Sequence, residues 1–184
     1  MKKLLAIVFT LLFTLGIVSA MADGVTFSTK YFTMELPEGW EIDTSDPQND
    51  AENNTEDLGL LFGEVEGKAL LCETYVQYVE DMKSIALWNS DADELKEYAE
   101  EVMEDFEEDN PVYLDTVKAN SIPFVLIKAT DEDGEYLYAD TVSNGYLINF
   151  VVYAVDADGE SYLPLTNDCI EAFKTILSTF KPVA

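Results

Sequence analysis

The chain has 184 residues, of which 37 are Asp or Glu and 10 are Lys, with no Arg and no His, and its formal net charge at pH 7 is -27. Without His, Ser-His-Asp and Cys-His catalysis and imidazole metal ligands are excluded. Without Arg there is no bidentate guanidinium for phosphate, and the negative charge repels nucleic acids and anionic lipid surfaces. Hydrophobic residues still make up 48% of the chain, which predicts a folded domain rather than a disordered acidic segment.

Residues 1–22 have the pattern of a secretory signal peptide. Two lysines precede an uncharged apolar run over 4–18, and small residues follow at Ala20 and Ala22. We expect cleavage after Ala22, or after Ala20, which predicts a secreted or cell-envelope protein without stable membrane insertion. A retained membrane anchor is the alternative, since the run is about as long as a spanning helix requires.

Residues 23–184 are predicted to form a single domain with one core. The first part of this domain alternates β-rich runs with turn signals, and Pro37-Glu38-Gly39-Trp40 forms a turn that brings Trp40 to the margin of the core. An acid-rich polar segment, 43–57, is predicted to be a surface loop. The predicted strands of this part cover 25–28, 31–34, 58–64 and 69–79.

The clearest helix signal lies over 91–108, where apolar residues recur at three- and four-residue spacing. Asp91 with Glu94, or Ser90 with Asp93, offers a capping box at its start. Asn110-Pro111 is expected to end the helix.

Four strands and a closing helix are predicted after this helix. The strands cover 112–118, 123–130, 135–142 and 146–155, and the closing helix covers 166–180. Asp133-Gly134 and Asn144-Gly145 are typical of tight hairpin turns. The strand over 146–155 is apolar on both faces apart from Asn149, which indicates a central strand that is covered on both sides.

These elements predict an α+β fold, in which helices pack on a twisted, mainly antiparallel sheet as an α/β/α sandwich. The expected core residues are Leu70, Val76, Phe150, Val152, Phe173, Ile176 and Phe180, with Trp40 at the margin.

The segment Tyr31–Trp40, YFTMELPEGW, resembles the strand and P-x-G-W turn that open PsbP-like domains, a family that includes extrinsic photosystem subunits and exported bacterial proteins. Residues 93–99 resemble the middle helix of that family, and residues 176–180 resemble the end of its terminal helix. The resemblance spans most of the chain after residue 22. It implies an α/β/α sandwich and a non-catalytic role that assists a partner, and it transfers no binding residue.

Cys72 and Cys169 are the only cysteines, and both fall on apolar faces, one in a strand and one in a helix. In an exported protein they either form a disulfide that ties the terminal helix to the sheet or remain two buried thiols. A catalytic Cys is not supported, because no His or Arg is present to lower the pKa of a thiol.

No pattern predicts a catalytic residue or a cofactor. The segments 131–134 and 156–159 look like fragments of calcium loops, but neither has the bidentate Glu, so both are interpreted as hairpin turns. The segment 43–57 holds six acids and no Lys, and 91–109 holds eleven acids and Lys96. We interpret both clusters as solvated surface, with weak divalent-cation binding or docking onto a basic partner as the functional alternatives.

The leading functional hypothesis is a non-catalytic exported domain that binds a protein partner or a small molecule through its sheet edge or loops. An acidic, divalent-cation-binding envelope protein is the second. A carboxylate-based hydrolase is the third, because no spacing in the sequence selects a pair of carboxylates.

The predicted helix over 91–108 should be stabilised by salt. Glu97, Glu101 and Asp105 stack at four-residue spacing, and like charges so placed each cost a few tenths of a kcal/mol. We expect the melting temperature to rise between low salt and about 0.15 M monovalent salt, where the Debye length is about 8 Å. Calorimetry with millimolar calcium at fixed ionic strength tests the cation-binding hypothesis. We expect no further rise, and a saturable rise would contradict the solvated-surface interpretation.

Overall fold

The computed structural model describes residues 24–143, 145–159 and 161–183, so the predicted signal peptide and its cleavage site lie outside the described residues. Within these residues the α-helices are α1 (Ala92–Glu104) and α2 (Asn167–Leu177). The strands are β1 (Val25–Ser28), β2 (Phe32–Leu36), β3 (Glu41–Asp43), β4 (Thr55–Val65), β5 (Lys68–Tyr78), β6 (Val112–Ala119), β7 (Ile122–Thr130), β8 (Glu135–Ser143), β9 (Tyr146–Val155), β10 (Tyr162–Leu163) and β11 (Lys181–Pro182). Short 3₁₀ turns cover Glu80–Met82, Leu87–Asn89 and Glu107–Asp109.

The strands form two sheets, in which every pairing is antiparallel. The large sheet has the order β3-β4-β5-β9-β8-β7-β6, and β10 pairs with the end of β9 that extends beyond β8. The small sheet has the order β1-β2-β11. The predicted α+β fold with a mainly antiparallel sheet is confirmed, and so is the central position of the strand predicted over 146–155.

Two tight turns set the register of neighbouring strands. Glu66 and Gly67 join β4 to β5 with φ values of 53° and 77°, and Asn120 and Ser121 join β6 to β7 with φ values of 48° and 74°. Two consecutive positive φ values characterise the hairpin turn whose twist matches that of the flanking strands.

One face of the large sheet, here called the first face, carries the main core. Side chains from β4, β5, β7, β8 and β9 meet α2 and the small sheet there. Phe180 lies between the two sheets, with its ring centroid 4.8 Å from that of Phe32 and 4.9 Å from that of Phe124. All the predicted core residues are buried in this cluster: Leu70, Val76, Phe150, Val152, Phe173, Ile176 and Phe180.

Trp40 is buried in this core and not merely at its margin, with 5% of its surface exposed. Its indole ring lies against Gly63 of β4, where an added Cβ would come within 2.4 Å of the ring. Gly63 is therefore required by the close approach of the indole ring.

The opposite, second face of the large sheet is covered by α1 over β6, β7 and β8. Residues of α1 and Phe106 pack against Val125, Ile127 and Tyr138. Asp91 caps the helix, since its carboxylate accepts the backbone N–H of Asp93 and Glu94 while Glu94 accepts the N–H of Asp91. Of the two capping boxes that the sequence offers, the structure has the one formed by Asp91 and Glu94. One helix on each face gives the expected α/β/α arrangement, to which the small sheet is an addition.

Several boundaries differ from the sequence prediction. The helix predicted over 91–108 ends at Glu104, and 107–109 form a 3₁₀ turn. The acids at 104, 105, 107, 108 and 109 sit at the negative end of the helix dipole, which disfavours further helical turns there. The helix predicted over 166–180 begins after the cap residue Thr166 and ends at Leu177.

The loop predicted over 43–57 is also shorter than expected. Glu41–Asp43 pairs with β4 as an edge strand, and β4 already begins at Thr55. The strands β10 and β11 have only two residues each, which is too short to give a periodic signal in the sequence.

Cys72 and Cys169 lie in the same core, and both are free thiols. Burial raises the pKa of the Cys72 thiol, so the reactive thiolate form is suppressed. The Thr166 hydroxyl lies 3.2 Å from the Cys169 sulfur. Of the two alternatives that the sequence leaves open, these features favour two buried thiols.

We expect the native protein to react slowly with a thiol reagent such as dithionitrobenzoate, because both sulfurs are fully buried. After unfolding in guanidinium without a reductant, two thiols per chain should react in the wild-type protein and one in a Cys169→Ala variant. The absorbance of the thiolate released from the reagent measures the number of reactive thiols in each protein. No thiol from the unfolded wild-type protein would mean that the two cysteines are joined by a disulfide.

Candidate functional site

The second face of the large sheet is only partly covered over β4, β5, β9 and β10. Alternate residues of these strands point to this side, because side chains of a strand alternate between its two faces. We call this surface the tyrosine face. It is formed by Leu60, Phe62, Glu73, Tyr75, Val151, Tyr153 and Tyr162, all half-buried.

The pairing of β5 with β9 brings the residues of the tyrosine face together. Glu73 is opposite Val151, and Tyr75 is opposite Asn149. The Tyr153 ring makes an edge contact with Tyr162 of β10 at a centroid distance of 5.4 Å. The Tyr153 ring also lies 6.0 Å from the ring of Tyr136, which is the residue opposite it in β8. Three strands thus supply a row of neighbouring aromatic rings.

Glu73 is the carboxylate within this face. Its Oε2 accepts a hydrogen bond from the Tyr75 hydroxyl at 3.0 Å. Burial raises the pKa of Glu73 above its usual range, the bond from Tyr75 opposes the rise, and the charge of Asp57 adds to it. Glu73 is therefore a partly desolvated acid that would be stabilised by a positive charge.

More acids surround the tyrosine face. The Asp109 carboxylate accepts a 2.7 Å hydrogen bond from the Tyr136 hydroxyl. The pKa of Tyr162 is raised first by burial and then by the charges of Asp133, Glu73 and Asp131. The potential over these rings is therefore negative.

A closed polar cluster lies beside the tyrosine face, under the edge of α1. Asp140 of β8 is 1% exposed and accepts hydrogen bonds from the Tyr98 hydroxyl of α1 and the Asn149 amide of β9. The same amide donates to the Tyr138 hydroxyl. Asn149 is also the residue opposite Tyr75 in the sheet, so the cluster and the tyrosine face are neighbours.

Asp140 is the one fully buried carboxylate among the described residues. Burial raises its pKa to about 7, even though the hydrogen bonds from Tyr98, Tyr138 and Asn149 lower it. The four side chains satisfy one another, and Asp140 is too enclosed to meet a ligand. The cluster therefore fixes how α1 sits on the sheet beside the tyrosine face.

A separate groove of about 460 Å³ opens at the end of the first face, next to the small sheet. It is lined by Lys30, Tyr31, Ser143, Tyr146, Ile148, Pro182 and Val183. The Tyr146 ring lies 5.3 Å from both the Tyr31 ring and the Tyr78 ring. Two cations lie over rings in this region, Lys30 over Tyr31 and Lys83 over Tyr78.

Asp43 and Asp50 of the 43–57 segment bond to their own loop, whereas Glu56 bonds to Tyr31 and Lys30. The Asp50 carboxylate accepts the Asn53 side-chain amide at 2.7 Å and the backbone N–H of Glu52 at 2.9 Å. Asp43 accepts the backbone N–H of Ser45 in the same way. In the part of the chain that the structure describes, no group of three or more Cys, Asp or Glu side chains is arranged to hold a metal ion.

The two calcium-loop fragments are turns in the structure, as predicted. Asp131 accepts the backbone N–H groups of Asp133 and Gly134 at 2.8 and 2.9 Å, between β7 and β8. The backbone N–H of Gly159 donates to the carbonyl of Asp156 at 3.0 Å, between β9 and β10.

No helix within the described ranges is long and apolar enough to cross a membrane. Comparison of the sequence with protein-family models gives no match. Comparison with curated proteins gives no match either.

Sequence reasoning did not identify the tyrosine face. The alternation in β5 indicates that Glu73 lies on the wetter side of its strand, but Tyr153 and Tyr162 lie far away in the chain. The sequence does contain one signal, because Glu73 and Tyr75, like Val151 and Tyr153, are two residues apart and so lie on one face of their strand. This signal indicates a common surface only if β5 and β9 are neighbours in the sheet.

Asp140 should make the stability of the protein depend on pH. Its pKa is about 7 in the folded state and close to 4 in the unfolded chain, so its contribution is complete below about pH 4 and is lost as the pH rises through 7. We expect the free energy of unfolding of wild type, relative to Asp140→Asn, to fall by up to a few kcal/mol between about pH 4 and 7. Urea unfolding at several pH values measures this difference.

Asp46→Asn is the matched control for this experiment, because Asp46 lies exposed in the loop before β4. Its unfolding free energy should run parallel to that of wild type. A pH profile of Asp140→Asn that is also parallel to wild type would contradict the assignment of the raised pKa to Asp140.

Proposed function

We propose that the protein is an exported, non-catalytic binding domain that binds a protein partner through the tyrosine face. The observation that carries the proposal is the set of half-buried rings of Tyr75, Tyr153 and Tyr162 on a sheet face that α1 covers only in part. Export is supported by the signal-peptide pattern over 1–22.

The chemistry of this surface suits a protein interface. Tyr side chains present a large apolar ring with a polar tip, and they are enriched where one side must be buried and remain compatible with water. Leu60, Phe62 and Val151 extend the apolar area around the rings. Contiguous apolar surface rimmed by polar residues commonly marks an interaction site.

The resemblance to PsbP-like domains agrees with this proposal, because that family implies a sandwich fold and partner-assisting roles. It contributes no residue of the tyrosine face. The proposal therefore rests on the face itself and not on the resemblance.

Photo-crosslinking in the producing cell tests the proposal. A photoreactive benzoylphenylalanine is placed at Tyr153, on the tyrosine face, or at Tyr146, an exposed tyrosine of the same strand on the opposite face. We expect a discrete adduct from position 153 and none of the same mass from position 146, because only the former lies at the proposed interface.

A second substitution, Tyr75→Ala, should reduce the yield of the adduct at position 153. It should lower the free energy of unfolding by no more than the loss of one half-buried aromatic ring accounts for. The proposal is wrong if positions 153 and 146 give the same adducts, or if position 153 gives none.

A further inference from the structure

A three-part arrangement of tyrosine, glutamate and lysine occurs twice in the chain. The Tyr31 hydroxyl donates to Glu56 at 2.8 Å, Lys30 pairs with the same carboxylate at 2.7 Å, and the Lys30 ammonium lies 4.9 Å from the centroid of the Tyr31 ring. The cation is thus held by a carboxylate and a ring together.

The second arrangement has the same parts. The Tyr78 hydroxyl donates to Glu80 at 2.7 Å, Lys83 pairs with Glu80 at 2.7 Å, and the Lys83 ammonium lies 5.6 Å from the centroid of the Tyr78 ring. Both arrangements lie near the groove at the end of the first face, where Tyr146 contacts both rings.

The tyrosine face contains the first two parts of this arrangement without the third. The Tyr75 hydroxyl donates to Glu73 at 3.0 Å. Among the described residues, no lysine forms an ion pair with Glu73 or lies over the rings of Tyr75, Tyr153 or Tyr162. The charged groups that act on these side chains are acids, namely Asp57, Asp131 and Asp133.

We propose that the partner supplies the missing cation, as a lysine or arginine side chain that binds between Glu73 and the rings of the tyrosine face. This inference rests on the proposed function and names the chemistry of the partner, a basic segment of a protein. A cation near a tyrosine ring is attracted by the ring face, and the carboxylate beneath adds a charge-assisted hydrogen bond.

A basic segment also suits the shape and charge of the surface. Leu60, Phe62 and Val151 offer apolar contacts for the methylene stem of a long basic side chain. The acids around the face favour approach of a positive partner, and the chain as a whole repels negative ones.

The test uses the protein purified from the producing cell and the peptide acetyl-Gly-Lys-Gly-Lys-Gly-Lys-Gly-amide in physiological salt. Binding is followed through the NMR signals of the tyrosine rings. We expect saturable shifts of the Tyr75, Tyr153 and Tyr162 signals. The same peptide with acetylated lysines should bind at least roughly tenfold more weakly, because it keeps the shape and loses the charge.

Two matched variants separate a specific site from general charge attraction. Glu73→Gln should weaken binding of the lysine peptide by roughly tenfold, whereas Glu97→Gln, which removes one charge from the exposed face of α1, should change it by less than about twofold. Equal effects of the two variants, or equal binding of the acetylated peptide, would overturn the inference.

A third variant supplies the cation within the chain and leaves Glu73 in place. Val151 is directly opposite Glu73 on the same face, so Val151→Lys should complete the arrangement and block the peptide more strongly than Val151→Gln does. Similar binding by these two variants would also overturn the inference. A crosslinked partner at position 153 together with no specific peptide binding would leave the proposed function standing and reject only its cationic chemistry.

Discussion

The ladder between β5 and β9 is the contact on which the rest of the structure depends. Ten residue pairs, from Ala69 with Val155 to Tyr78 with Tyr146, join the hairpin of β4 and β5 to the four consecutive strands β6–β9. The partners lie between 68 and 86 residues apart in the chain, so a long loop must close before any of these pairs forms. Contacts of this kind make folding slow, but they bind the two halves into one sheet.

The register of this ladder decides what each face contains. With Cys72 opposite Val152 and Thr74 opposite Phe150, the apolar residues of both strands meet α2 and the small sheet on the first face. The intervening residues, Glu73 and Tyr75, then share the second face with Val151. A slip of one residue would exchange the two sets, which would place Glu73 in the main core. The burial of that core therefore also fixes the composition of the tyrosine face.

Local parts of the fold could be predicted from the sequence, because their signals lie within one segment. The run YLINFVVYAV marks β9 as central, and Asp91 with Glu94 marks the start of α1. Asn149, the single polar residue in the run, is an exception with a physical reason, since its amide bonds to Asp140 and Tyr138. The open half of the second face is where the prediction of a strand covered on both sides fails.

The candidate site could not be predicted, because it depends on contacts between distant segments. No local pattern shows that β10 pairs with β9 and brings Tyr162 against Tyr153, or that α1 packs over β6, β7 and β8. The acid clusters, by contrast, stand out in the sequence, yet the loop acids bond largely to their own backbone. The proposed mode of binding therefore rests on the position of one half-buried carboxylate, Glu73, and not on the density of charge along the chain.

If the tyrosine face binds a partner as proposed, Glu73 lets it discriminate between partners in a way that the rings alone would not. Aromatic rings accept many apolar partners, but any partner that covers this face removes the remaining water from the Glu73 carboxylate. Burial of an unpaired carboxylate is costly, whereas burial against a well-placed cation offsets much of that cost. On the proposed mode of binding, an apolar or acidic segment would leave Glu73 uncompensated, and its affinity would fall for that reason. The selectivity of the surface would then come from the weak binding of apolar and acidic segments as well as from its contacts with a basic one.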